Sequence, residues 1–357
     1  MLTTRQRLIR ALHGQEVDRM PWAPLIDDYY LAYMHSIGRP VNVVECLKEI
    51  GADVIERHCP CCRYKYSGGV QKKEWTEGNT IYSRFETPVG NVQQAIRYID
   101  KSETVLEFYI KTREDLQTYQ YIEEHKDIIP DYSHLSEKEA ALGEEGIAIT
   151  GAPSTPLASL FEFYMGLENF IYFLEDYPSE MKALMEVMHK NNIKEHIIAA
   201  QSPSVTVFMY EDTSSTTISR DMYTKHCQSQ MNDYAKAVQN EGKPYIVHMC
   251  GKLKAFADII AETKMDGIDS LCPPETGDLW PWEANSHWKN KIIIGGIDPI
   301  FLHSANQQDL ETQITNTIKK SKPTQKTILS TGDATAHGTP LQNLQLVTKL
   351  INKYGKY

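Results

Sequence analysis

The chain has no basic stripe of the kind that grips nucleic acid: 37 Lys and Arg stand against 47 Asp and Glu over 357 residues, a formal charge of −10 with no polybasic run. It also lacks any window approaching the roughly 20 apolar residues that span a bilayer, so no membrane partner is expected. The opening stretch "MLTTRQRLIRALHGQEVDRMP" has no apolar core of signal-peptide type, and a cytoplasmic location is the expectation. Cysteine is scarce and unevenly placed. The seven (46, 59, 61, 62, 227, 250 and 272) are an odd, clustered set rather than a disulfide framework, and a reducing compartment leaves them as thiols or metal ligands. Internal repeats and low-complexity tracts are absent. So is a glycine-rich turn after the first strand, which counts against a dinucleotide-binding open sheet.

What the chain does contain is alternation. Eight β-rich runs fall at 20–26, 52–58, 147–153, 205–212, 244–250, 267–272, 291–298 and 326–333. Between them lie stretches with helical spacing of apolar residues, such as 179–200, 221–242 and 338–355. This pattern predicts an α/β protein whose single domain, 1–357, is a (β/α)8 TIM barrel. Residues 64–146 break the alternation. "NTIYSRFETPVGNVQQAIRYI" reads as a hairpin and "KTREDLQTYQYIEEHKDI" as a helix, giving an insertion after the second strand. The ending "NKYGKY" reads as a frayed terminus.

A barrel of this kind gathers chemistry at the C-terminal ends of its strands. In order, those ends carry Asp27 and Asp28, His58 and Cys59, Ser154, Glu211 and Asp212, His248 and Cys250, Cys272, Asp298, and Asp333. In "PYIVHMCGKLKAF", strand alternation would turn His248 and Cys250 to one side, forming a two-ligand clip for a metal such as zinc. The alternative is a cysteine packed as a small hydrophobe beside a hydrogen-bonded histidine. Tyr30 and Tyr210 lie near strand ends, where they suit an aromatic substrate or simple packing. "RHCPCCRYKY" has spacing too tight for a structural zinc knuckle and no distant CxxC partner, so the stretch, His58 included, reads as lining a pocket, as a plain loop, or as a second metal site. His226 and Cys227 read as structural.

Taken together, "RLIRALHGQEVDRMPW", "FETPVG", "GAPSTPLASLFEFYMGLENFIYFLEDYP", "EDTSSTTIS", "HMCGKL", "GGIDP" and "STGDATAHGTPLQNLQ" resemble the uroporphyrinogen decarboxylase superfamily. The likeness is to its zinc-dependent corrinoid methyltransferase branch, which includes methylcobamide:coenzyme M methyltransferases. The resemblance implies a TIM barrel, a zinc ion, and a corrinoid (cobalamin) carried by a partner protein. It also leaves room for a homodimer. It implies a metal site on His248 and Cys250. The family's second cysteine is missing from "STGDATAHGTP", where Asp333 stands, with His337 four residues on; Cys272 is a further substitute. A carboxylate in place of a thiolate would make the zinc a stronger Lewis acid. That suits removal of a methyl group from a small methoxylated substrate, an aromatic one included: an O-demethylase. Glu211 and Asp212 resemble the family's acidic pair, with Glu211 as proton donor or, alternatively, as a helix-capping anion. Asp27, Asp28, Tyr30, His58, Tyr210 and Cys272 would line the substrate pocket. The arginine-bearing loop of the decarboxylases is replaced by "IDDYYLAY", whose two carboxylates would repel a porphyrinogen. Methyl transfer on the acceptor side, to a coenzyme M-like thiol or a folate, and a zinc-free decarboxylase-like protein are the competing readings.

Overall fold

The computed structural model describes residues 1–99, 102–211 and 213–357. Its strands, in chain order, are β1 (Val54–Glu56), β2 (Cys62–Tyr66), β3 (Gln71–Glu77), β4 (Thr80–Thr87), β5 (Gly90–Ile99), β6 (Ser102–Glu107) and β7 (Lys126–Pro130). They continue with β8 (Gly146–Ala148), β9 (Thr150–Ala152), β10 (Val207–Tyr210), β11 (Tyr245–His248), β12 (Gly267–Leu271), β13 (Ile292–Ile297) and β14 (Thr327–Thr331). Strands β9 to β14 form a six-stranded parallel sheet in sequence order, and β1 pairs with β8 in parallel. Ile149 joins β8 to β9, donating to the Glu56 carbonyl at 2.8 Å and accepting from the Cys59 amide at 3.1 Å. Helices between successive parallel strands cover the outside, as a TIM-barrel-like fold requires.

Seven of the eight expected parallel strands form ladders. The first, at 20–26, forms no ladder among the described residues: Trp22 makes an isolated parallel bridge with Leu329, and the Asp53 amide bonds the Trp22 carbonyl at 2.7 Å. The reason is in "MPWAPLI": Pro21 and Pro24 have no N–H to give, so a continuous ladder cannot run through them.

Side-chain alternation sorts the core. Ile55, Ile149, Phe208, Ile246, Ile294 and Ile328 cluster inside the strands, below them Leu8 and Leu12 of the helix Thr4–Leu12. Val207, Met209, Tyr245 and Val247, with the opposite parity, pack outward against helices such as Pro178–Gln201. This parity matters for the site, because continuing the inward series past the isoleucines reaches Arg57, Tyr210 and His248.

Between β1 and β8 the chain builds an antiparallel sheet, β3-β4-β5-β6, the antiparallel pair β2–β7, and the helix Arg113–Glu124. The β4–β5 hairpin falls where "NTIYSRFETPVGNVQQAIRYI" placed one. Three local expectations need correction. "CRYKY" is strand β2 and not loop. The helical run through Asp221 is broken by a π-helical turn, Thr224–Gln228, which buries Cys227. The C-terminus is pinned: the Met20 amide bonds the Gly355 carbonyl, Lys356 bridges Arg19, and the Tyr357 amide bonds the Asp18 carbonyl.

One buried group gives this fold a pH signature. The ring of His196, on the long helix, is inaccessible to solvent, stacks on Tyr234 at 4.2 Å, and bonds the Asn192 carbonyl at 2.7 Å. Burial pushes its pKa down to about 3. The unfolded chain takes up a proton near pH 6.5 that the folded one refuses, so stability falls as pH drops from about 6.5 toward 3, by up to ~1.4 kcal/mol per pH unit. Urea titrations between pH 7 and 5 are expected to show this slope, and His196→Gln to flatten it. An unchanged slope would remove His196 from the account.

Candidate functional site

Tyr210, His248 and Asp269 are register neighbours on β10, β11 and β12, so they form one layer at the C-terminal ends of the strands. Arg57, just past β1, reaches across the interior to the same layer. Its Nη1 lies 2.7 Å from Asp269 Oδ2 and its Nη2 3.0 Å from Oδ1, a two-pronged clamp. The guanidinium also rests over the Phe208 ring at 5.3 Å. Asp269 is fully buried, and its Oδ2 additionally meets His248 Nδ1 at 2.9 Å. Burial would raise the Asp269 pKa; the Arg57 charge and the His248 hydrogen bond override it and hold the carboxyl well below the usual carboxylate range.

An ionised Asp269 makes Nδ1 the donor, which leaves Nε2 with the lone pair in the neutral ring. His248 is thereby fixed in tautomer and orientation. The backbone beside this cluster is unusual. His58 and Ser270, which directly follow Arg57 and Asp269, have φ of 60° and 61°, the left-handed region that side chains other than glycine and asparagine rarely enter. His58 stacks on Tyr210 at 4.5 Å, and Tyr210 lies 5.5 Å from the His248 ring. Desolvation of the ring against Tyr210 first, then the charge of Arg57, lowers the His58 pKa to about 4, although the residue as a whole is exposed. Gly151 makes room for this stack, since a Cβ there would come within 3.1 Å of the Tyr210 ring.

The other sequence-derived residues fall elsewhere. Cys272 is buried, with Sγ 3.8 Å from Asp298 Oδ2; burial, then Asp298 and Asp333, pushes its thiol up to about 12. Asp298 also caps the helix Pro299–Ser304 through Oδ1, at 2.8 and 2.9 Å from the Ile300 and Phe301 amides. Asp333 accepts from the Ala334 amide at 2.7 Å. His337 is exposed against Tyr29 and Tyr33, with ring centroids 4.9 and 5.4 Å away.

Asp27 caps the helix Asp28–Ser36 by accepting from the Tyr30 amide at 2.9 Å, and Asp28 is exposed in the first turn. Tyr30 is fully buried with its hydroxyl on the Thr339 carbonyl at 3.1 Å, so it packs the wall and offers no hydroxyl to a substrate. Glu211 is buried and accepts from Thr155, the amide at 2.8 Å and the hydroxyl at 2.6 Å. Thr155 is the N-cap of the helix Pro156–Ser159, so the Glu211 carboxylate lies at that helix's N-terminus. Asp212 lies outside the described residues.

The residues fit a metal in part. A carboxylate holding the far nitrogen of a histidine is how metal-binding imidazoles are oriented, and the His248–Asp269 pair has that form. Strand β11 ends at His248, so alternation does not itself aim Cys250. Among the described residues no three His, Cys, Asp or Glu side chains gather as a ligand set. Reading strand ends overlooked both Arg57 and Asp269. The available signal was a charged residue inside the apolar run "GIDSLC", which demands a buried partner.

The family model described as uroporphyrinogen decarboxylase (URO-D) matches residues 80–354. No curated protein matches the chain. Among solved structures, a methyltransferase from Methanosarcina mazei is similar in fold, with a TM-score of 0.67 over 99% of each chain at 12% identity.

Proposed function

The chain belongs to the uroporphyrinogen decarboxylase family, and from that premise we propose that it is a corrinoid-dependent methyltransferase acting on a small methylated substrate. The observation that carries this reading is the Arg57–Asp269–His248 chain, which presents an imidazole nitrogen at the strand ends with a cysteine two residues on. Porphyrinogen decarboxylation is disfavoured by the same geometry. The Arg57 charge is spent on Asp269, and the first strand ends in Asp27 and Asp28, so a polycarboxylate finds little to hold it.

In this reading a zinc ion would be held by His248 and Cys250, with a third ligand from Asp333, Cys272 or His337. Bound there, zinc supplies Lewis-acid polarisation of the substrate heteroatom. The rest is done by the chain. Asp269 holds the His248 tautomer, Arg57 keeps Asp269 ionised, and the neutral His58 stacked on Tyr210 forms a flat wall against which a planar substrate can lie. The methyl group leaves the substrate oxygen for the corrinoid of a separate protein, and the oxygen gains a proton. The donor is a small methyl ether, and the reaction is an O-demethylation.

The second reading, a decarboxylase-like protein without zinc, draws on the lack of a gathered three-ligand set among the described residues. Metal analysis of the purified protein separates them. About one zinc per chain is expected, lost in both His248→Ala and Cys250→Ala; a metal-free parent favours the second reading.

A further inference from the structure

A second chemistry-bearing place lies away from the strand ends. Between the antiparallel sheet, the helix Arg113–Glu124 and the helix Pro178–Gln201 is a cavity of about 220 Å³, lined by Tyr64, Tyr66, Tyr109, Tyr119, Tyr164 and Glu195 among others. None of Arg57, His58, Tyr210, His248 or Asp269 lines it. We propose that this cavity binds a small organic ammonium ion, with the Glu195 carboxylate as counter-charge and the tyrosine rings as its cage.

Charge accounting leads to that class of ligand. Of the two carboxylates on the wall, Glu123 is matched by Lys126 at 2.6 Å and by the Asn191 amide at 3.0 Å. Lys72, at the rim, pairs with Glu74 at 2.7 Å. Glu195 has no ion-pair partner of its own: Lys126, bound to Glu123, acts on it only at longer range. Only 9% exposed, it accepts from the Tyr64 hydroxyl at 2.8 Å and from the Cys62 thiol, both neutral donors. Among the described residues no Lys, Arg or His nitrogen pairs with it within 4 Å. Burial accordingly pushes the Glu195 pKa up. A buried carboxylate without a directly paired cation is costly, and a ligand that brings one lowers the cost.

The surrounding rings suit the same charge. Tyr119 and Tyr164 lie 5.0 Å apart, with Tyr109 5.7 and 6.3 Å from them, a contiguous aromatic wall. Lys126 Nζ already stands 5.5 Å over the Tyr64 ring, so that face accepts a cation. Aromatic faces attract alkylammonium groups most strongly when water is excluded. The volume admits a trimethylammonium head and excludes a tetrapyrrole. A neutral aromatic ligand would use the rings but leave Glu195 unmatched.

The inference does not rest on the proposed methyl transfer, and its test needs no activity. Calorimetric titration of the full chain with choline, against the uncharged isostere 3,3-dimethylbutan-1-ol, is expected to show saturable one-site binding of choline only. Glu195→Gln should weaken it by about tenfold or more, with the far-UV circular dichroism unchanged. Tyr66→Leu should weaken it as well, and serves if Glu195→Gln fails to fold. No saturable choline binding, equal binding of the isostere, or unchanged affinity in the folded variants would overturn the proposal.

Discussion

Asp269→Ala is expected to destabilise the protein by about 3–5 kcal/mol, because it strands a buried guanidinium. The Arg57 side chain is only 5% exposed, and both its prongs end on Asp269. Deleting the carboxylate leaves the Arg57 charge without water or counter-ion, a larger penalty than the pair's own net worth. Arg57→Ala should be similarly damaging from the other side. The double variant Arg57→Ala/Asp269→Ala is expected to be less destabilised than the sum of the two, since neither charge is then orphaned. Urea unfolding of the four proteins of this cycle measures it. Additive losses, or a cost for Asp269→Ala within about 1 kcal/mol, would mean that solvent reaches the cluster.

His248→Ala is expected to do the reverse, sparing stability and removing function. The imidazole is held by its 2.9 Å bond to Asp269 and a ring contact with Tyr210, and Asp269 keeps Arg57 when that ring is gone. The unfolding midpoint should therefore move little, with a cost of about 1 kcal/mol. Methyl transfer should fall by at least about 100-fold. The yardstick is the milder Asp269→Asn, which removes a partner of the ligand and is expected to cost about 10–100-fold in metal affinity or activity. Loss of activity in His248→Ala together with collapse of the fold would instead make this histidine a structural residue.

The residues behind these two variants also differ in how legible they were in the sequence. His248 was legible because it stands with Cys250 at the end of the apolar run Tyr245–His248. The helix-rich outer layer and seven of the parallel strands were legible for the same reason, since β-branched runs such as "KIIIGGID" alternate with helical spacing. Arg57 and Asp269 were not, because their partnership spans more than two hundred residues and only the closing of strands side by side brings it about. Glu211, at a strand end, accepts from Thr155 at the N-terminus of a neighbouring helix, a contact that is invisible in a linear reading. Among the zinc-ligand candidates, Cys272 and Asp333 lie near one another, whereas His337 stands against two tyrosines. Short-range spacing puts Asp333 and His337 on an equal footing, and only the fold separates them.

The central claim is methyl transfer to cobalt, and one spectroscopic assay addresses it directly. The protein is mixed with cob(I)alamin and a panel of methyl ethers, amines and thioethers while the absorbance of methylcobalamin is followed. The account predicts methylcobalamin formation with a methyl ether, abolished in His248→Ala. Consumption of added methylcobalamin by a thiol or a folate, with no product from any methyl donor in the panel, would contradict the direction of transfer and place the protein on the acceptor side.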